Sequence, residues 1–295
     1  MPLTGNRPEV SVDTVLFATD FSKSAENAAI YAQLVAGALD ASLLVAHAFL
    51  LTQAAEEVEL REKGHSKQRN DLEALLSAEV LKLNTPALRV SSALVEGVPH
   101  DAIPLLAEQH APALLVLGTH GAGTVMHKLI GSVAEKILRS TRWPCLTVGP
   151  LTPHPSAATD PFRRVLYATD FTPAATRAAA FAIALSESSG GSLDVLNVLP
   201  ESARKDSSTW TEIESRYAHA LAQIVPEHAR EFMSPRTYVE TGDAHERILD
   251  HIREHNIDLL VLGVRKSSHL GLEMRVSNAF HLIANATCPV LTITS

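Results

Sequence analysis

The sequence is poor in sulfur, in clustered positive charge and in long apolar runs, and each shortage removes a class of function. Two cysteines, Cys145 and Cys288, are too few for a disulfide framework or a cysteine zinc site. Each lies beside a proline near the end of its half of the chain, and they read as buried, inert thiols. Lys and Arg number 25 against 33 Asp and Glu, a formal net charge of −8 with no long basic run. This argues against binding to a nucleic-acid backbone. No stretch approaches the roughly 18 apolar residues of a membrane span, and the start lacks a basic segment followed by an apolar core, so the chain reads as cytoplasmic. Also missing are G-x-x-x-x-G-K-[ST], which would bring a lysine to a γ-phosphate, the third glycine of a dinucleotide fingerprint (Met126 stands there), the nucleophile elbow G-x-S-x-G and the kinase signature set. No general base or nucleophile is identifiable, so catalysis stays open and no catalytic residue is assigned.

What is present is a duplication. Val15-Leu-Phe-Ala-Thr-Asp-Phe-Ser22 returns as Val165-Leu-Tyr-Ala-Thr-Asp-Phe-Thr172, identical at six of eight positions, and Ala113-Leu-Leu-Val-Leu-Gly118 returns as Asp258-Leu-Leu-Val-Leu-Gly263, identical at five of six. Between the copies, Gly149–Pro161 carries four prolines and small polar residues that cannot sustain a helix or central strand. The boundary falls there, giving domains 1–150 and 151–295. At 295 residues and 46% hydrophobic content each can bury its own core.

In the first copy the pattern predicts strands near 14–19, 42–49, 88–95, 113–118 and 145–148, with helices near 23–38, 53–84, 100–110 and 132–140. The second repeats the order, with strands near 164–169, 192–198, 236–240, 258–263 and 289–294. Thr172-Pro173 reads as an N-cap followed by proline at the first helical position. Strands apolar throughout and alternating with helices imply a parallel sheet covered on both faces. The fold class is therefore α/β: two tandem doubly wound parallel-sheet domains of five strands each, in the order 3-2-1-4-5.

Ligands of such sheets sit beyond the carboxyl ends of the strands, where the strand order reverses. The fourth strand runs into Gly118-Thr119-His120-Gly121, followed by Gly131-Ser132, a spacing of G-x2-G-x9-G-Ser. Glycines there let backbone amides approach an anion. Ser132 and Glu135 fit a capping box, so a helix is expected to start at Ser132 with its free N–H groups turned to the loop. The alternative is a glycine turn that merely joins strand to helix. Asp20 ends the first strand and would face this loop if the two strands are neighbours. A carboxylate repels phosphate, so Asp20 suits a base or ribose at the far end of a nucleotide, or else is an acid placed by the helix dipole.

These residues resemble the universal stress protein family, here as a tandem two-domain member with an ATP-binding-type motif in its first domain. The resemblance covers essentially the whole chain, and the motif with its flanks, Leu-Gly-Thr-His-Gly…Gly-Ser-Val-Ala-Glu…Pro144, is more specific than a lone GxGxxG. It implies a cytoplasmic stress-response protein that binds ATP, with or without Mg, in its N-terminal domain and acts as a nucleotide-dependent sensor or regulator. Adenine would be contacted by Asp20 and by the backbone near Ala48, ribose and phosphates by Gly118, Gly121, Gly131 and Ser132. It also implies that the two domains pair through their last strands as an intrachain pseudo-dimer. Partners would be adenine nucleotide and a protein yet to be identified, with no nucleic acid or membrane, and pairing of chains into a homodimer stays open. A nucleotide-independent scaffold is the alternative of another class, weak ATP hydrolysis stays open, and an enzyme acting on an adenylated substrate is the least favoured reading.

The second copy departs from the motif. Aligned through Gly263, Lys266 and Val276 replace the second and third glycines, and only Ser277 matches. A β-branched valine cannot offer the close approach of a glycine. One further pattern, His251-Ile-Arg-Glu-His255, fits the zinc motif H-x-x-E-H. It is set aside, because Ile248 and Ile252 should face the sheet, both histidines can be solvated, and only 40 residues follow to supply a third ligand. No metal site is assigned. His120, His127 and Lys128 read as ordinary polar loop residues near the cradle.

Overall fold

The computed structural model describes residues 10–51, 58–119, 130–155, 162–204, 207–230, 233, 235–264 and 272–294. The chain divides into two compact units, Val12–Trp143 and a second one that contains Pro144–Ser295.

The first unit holds β1 (Thr14–Ala18), α1 (Lys23–Ala38), β2 (Ser42–Phe49), α2 (Val58–Leu83), β3 (Val90–Glu96), α3 (Pro99–Gln109), β4 (Ala113–Gly118) and α4 (Ser132–Ser140). Its strands lie in the order β3-β2-β1-β4, and every neighbouring pair is parallel. Val15, Leu16 and Phe17 of β1 are fully buried, as are Leu114, Leu115 and Val116 of β4, which is why both strands read as unbroken apolar runs. Residues 53–57 of the second predicted helix lie outside the described residues. The third strand starts two residues later than expected, because Thr85 and Leu88 first close an isolated antiparallel bridge.

The second unit holds β5 (Cys145–Val148), β6 (Arg164–Ala168), α5 (Pro173–Ser188), β7 (Ser192–Leu199), α6 (Ser207–Ile224), the single turn α7 (Glu227–Arg230), β8 (Arg236–Thr241), α8 (Ala244–Glu254), β9 (Leu259–Val264), α9 (Leu272–Asn285) and β10 (Val290–Thr294). Its strands run β5-β10-β9-β6-β7-β8, parallel from β10 to β8. The order β8-β7-β6-β9-β10 is the expected 3-2-1-4-5.

The last strand of the first copy is housed in the second unit. β5 pairs antiparallel with β10, Leu146 opposite Leu291, and Thr147 Oγ1 donates to the Val290 carbonyl at 3.0 Å. Repeat and compact unit thus part company by one strand: the repeat ends after β5, while the contacts divide at Trp143. The pairing covers an edge of β10 that would otherwise present open N–H and C=O groups. Cys145 and Cys288 are both buried, and burial pushes both thiols far above their ordinary range, in keeping with the inert role read from sequence.

Candidate functional site

In both copies the strand order reverses beside the first strand. β1 lies between β2 and β4, with Ala18 opposite both Ala46 and Leu117, so Asp20 and Gly118 leave the same end of neighbouring strands. Ala48 lies on the other side of β1, buried in β2 and opposite Val95. The structure therefore brings Asp20, Ala48 and Gly118 to the carboxyl ends of three adjacent strands.

The turn after β1 is strained and tightly specified. Phe21 has φ 60°, a conformation uncommon for any side chain larger than Asn or Asp. Its N–H is held by Thr19 Oγ1 at 3.0 Å, the N–H of Ser22 by Asp20 Oδ1 at 3.0 Å, and Ser22 Oγ in turn caps α1 at the Ala25 N–H. The second copy repeats each contact: Phe171 has φ 57°, its N–H is bonded to Thr169 Oγ1, Asp170 Oδ1 accepts from the Thr172 N–H, and Thr172 caps α5. Asp20 is exposed and one of its oxygens serves this turn, so its local structural role is shared with Asp170.

A residue pair missed in the sequence braces the same turn. His47 Nδ1 donates to the Thr19 carbonyl at 2.7 Å, and at the matching place in β7 Asn197 Nδ2 donates to the Thr169 carbonyl at 2.7 Å. The signal was available as a polar side chain at the same position of two largely apolar strands, the second of which also carries Asp194. The His47 ring also stacks at 4.7 Å on Phe21.

The described part of the cradle differs from its sequence picture at the start of α4. Gly121 lies outside the described residues. Gly131, not Ser132, is the N-cap of α4; no side chain caps it, and the Glu135 carboxylate instead takes both Nε and Nη2 of Arg139. The expected capping box is absent because Ser132 is already the first helical residue, which puts Glu135 one position past the place from which it could reach back to the N-cap N–H. Gly131 has φ −63° and ψ 146°, extended geometry open to any residue, so its glycine is not needed for its dihedrals. Among the described residues no side chain caps the first turn of α4, and the Gly131 N–H holds it to the end of β4 through the Thr119 carbonyl at 2.6 Å. Gly118 has a packing reason of its own, since a Cβ there would stand 3.1 Å from the Ser24 carbonyl at the start of α1.

In the second copy the helix start has moved. α9 begins at Leu272 and runs 14 residues against 9 for α4, so Val276 and Ser277, the counterparts of Gly131 and Ser132, lie within it. Amides there are taken up by the carbonyls four residues back and do not point at a ligand. Space at the strand ends nevertheless remains. A cavity of about 330 Å³ lies between the ends of β6, β7 and β9, the first turns of α8 and the body of α9. Asp170, Thr169 and His245 give its polar wall, and Leu196, Ile248 and Leu262 much of its apolar one, with no Lys or Arg among the described lining residues. His245 is placed by Asp243, whose carboxylate caps α8 at the N–H groups of His245 and Glu246; those backbone bonds, the one from Glu246 foremost, hold its carboxyl below the usual range.

A model of the universal stress protein family matches residues 11–149 and 161–294. Among similar proteins, a universal stress protein of Methanocaldococcus jannaschii is 30% identical over 108 residues, 36% of this chain and 64% of that protein. One of Thermus aquaticus is 33% identical over 140 residues, 46% of this chain and 97% of that protein. A solved universal stress protein of Archaeoglobus fulgidus superposes with a TM-score of 0.71 at 20% identity, over 95% of this chain and 96% of that one, which is a likeness of fold. No helix among the described residues is long and apolar enough to cross a membrane.

Proposed function

We propose that this chain, which belongs to the universal stress protein family, binds one ATP in its N-terminal domain and uses it as a sensor or regulator in the stress response. The observation that carries this reading is the start of α4, without a side-chain cap and bonded to the end of β4 one strand away from Asp20. Free helix amides suit phosphate, and a carboxylate at the far side suits a base or ribose. In this reading Asp20 and the backbone near Ala48 meet the adenosine end. Gly118, Gly121, Gly131 and Ser132 surround ribose and phosphates, with or without Mg. The cavity of the second copy, whose described lining holds no Lys or Arg and takes only the body of α9, suits a smaller and less charged ligand or none.

A second reading, a nucleotide-independent scaffold, draws on the packing of Gly118 against α1, which accounts for that glycine without a ligand. Because Asp20 and Asp170 hold the same turn, they make a matched pair of variants. Asp20→Ala raises the dissociation constant for ATP by roughly 1–3 kcal/mol, about five- to 150-fold, the loss of a charge-assisted hydrogen bond. Asp170→Ala, with the same loss of turn bonding, leaves ATP affinity unchanged, and inorganic triphosphate is indifferent to both. Calorimetric titration reads all of these, and equal losses of ATP and triphosphate on Asp20→Ala would tie Asp20 to the turn alone and favour the scaffold.

A further inference from the structure

The histidines of His251-Ile-Arg-Glu-His255 are not the solvated neighbours that the sequence suggests. His251 is 2% exposed, and its third partner lies upstream, on β7, where Asp194 is fully buried in an otherwise apolar strand. His251 Nε2 stands 3.1 Å from Asp194 Oδ2, and His255 Nδ1 stands 3.6 Å from the same oxygen. The rings are stacked 4.0 Å apart and nearly parallel, so in-plane coordination of one ion requires the His255 ring, at the half-open edge, to turn out of the stack. All three donor atoms lie within 4.8 Å of one another.

We propose that Asp194, His251 and His255 form a binding site for a divalent transition ion of the Zn2+ type. A tetrahedral ion with bonds of about 2.0–2.1 Å needs donors roughly 3.3 Å apart, and the two observed spacings bracket that value. Two imidazoles and a carboxylate suit Zn2+ and its first-row neighbours and not Mg2+ or Ca2+, which take oxygen donors. The surrounding groups already orient the ligands. Arg236 Nε occupies Asp194 Oδ1 at 2.8 Å, which leaves Oδ2 for the ion, and Glu240 Oε1 stands 3.4 Å from the remaining nitrogen of His251, the place of the carboxylate that commonly backs a metal-bound histidine. Tyr238 packs edge-on against both rings. Access comes from the side of His255, whose side chain is 28% exposed and which could admit a water as fourth ligand. His255 also ends α8, where the helix dipole favours a cation. The site is separate from the cavity above: His245 lines that cavity at the start of α8, about 15 Å along the axis from His255.

The test uses the full chain, stripped with chelator and titrated with Co2+ as a spectroscopic probe, followed by Zn2+ in competition. One equivalent of Co2+ gives the visible absorption of a four-coordinate site, and Zn2+ displaces it and raises the melting temperature. His255→Ala, at the half-open edge, stays folded and lowers affinity roughly a hundredfold or more, while Glu240→Gln costs about tenfold. His251→Gln repeats the large loss if it folds; His255→Ala decides the matter alone if it does not. The proposal is overturned if the wild-type chain shows neither saturable Co2+ absorption nor stabilisation by Zn2+. It is equally overturned if folded His255→Ala binds as wild type does, which would send the ion elsewhere among the 14 histidines.

Discussion

Gly131→Val lowers ATP affinity by about two to four orders of magnitude and leaves the melting temperature almost unchanged. Both halves of that result follow from the geometry of one residue. Gly131 is partly open and extended, with φ −63° and ψ 146°, so valine meets no backbone penalty and its N–H still reaches the Thr119 carbonyl. What valine adds is a branched side chain beside the first amides of α4, where the proposal places a phosphate. Losing two amide bonds to an anion, at about 1.5–3 kcal/mol each, takes a micromolar site toward millimolar. Calorimetric titration beside a thermal melt checks both parts. Unchanged affinity in the folded variant would remove the phosphates from α4.

Gly263→Ala has the largest expected effect on folding and none that depends on a ligand. An added Cβ would come within 2.2 Å of the Ala175 nitrogen and 2.4 Å of the Ala174 carbonyl carbon, closer than any real contact, so α5 or β9 must move. The helix cannot yield easily, because buried Tyr167 donates its hydroxyl to the Ala175 carbonyl at 2.6 Å and ties α5 to β6. Overpacking of this kind costs about 3 kcal/mol or more. At Gly118 the same change is milder: the nearest atom is 3.1 Å away, and Phe17 stands where Tyr167 makes its bond. Chemical denaturation ranks the two, and a Gly118→Ala variant less stable than Gly263→Ala would reverse the packing account.

The same pair explains how far the sequence could be read. The Leu-Gly ending of both fourth strands is visible as a repeat, but that its glycine serves helix packing in the second copy emerges only once α5 and β9 are placed together. The repeat of Thr-Asp-Phe-Ser as Thr-Asp-Phe-Thr and the cap at Thr172 were legible, but the bonds from Thr19 and Asp20 that hold the β1 turn emerge only in the structure. The capping box failed because a local pattern, Ser132 with Glu135, does not show that Gly131 takes the N-cap, which moves Glu135 out of reach and leaves its carboxylate to Arg139. His251 was misplaced for a related reason. On a helix of 3.6 residues per turn, the face that buries Ile248 and Ile252 also carries 251 and 255, and an acid buried in the apolar strand β7 was the long-range sign that they had a partner. Long-range pairing of this kind, like that of β5 with β10, leaves no trace in local spacing.

Native mass spectrometry of the full chain, at ATP well above its first dissociation constant, tests the central claim most directly. The account predicts one nucleotide per wild-type chain, one in Asp170→Ala and none in Gly131→Val, because Val276 and Ser277 lie inside α9 where their counterparts open α4. A wild-type chain that carries two nucleotides, with one kept in Gly131→Val, would contradict it, as would a folded wild-type chain that carries none.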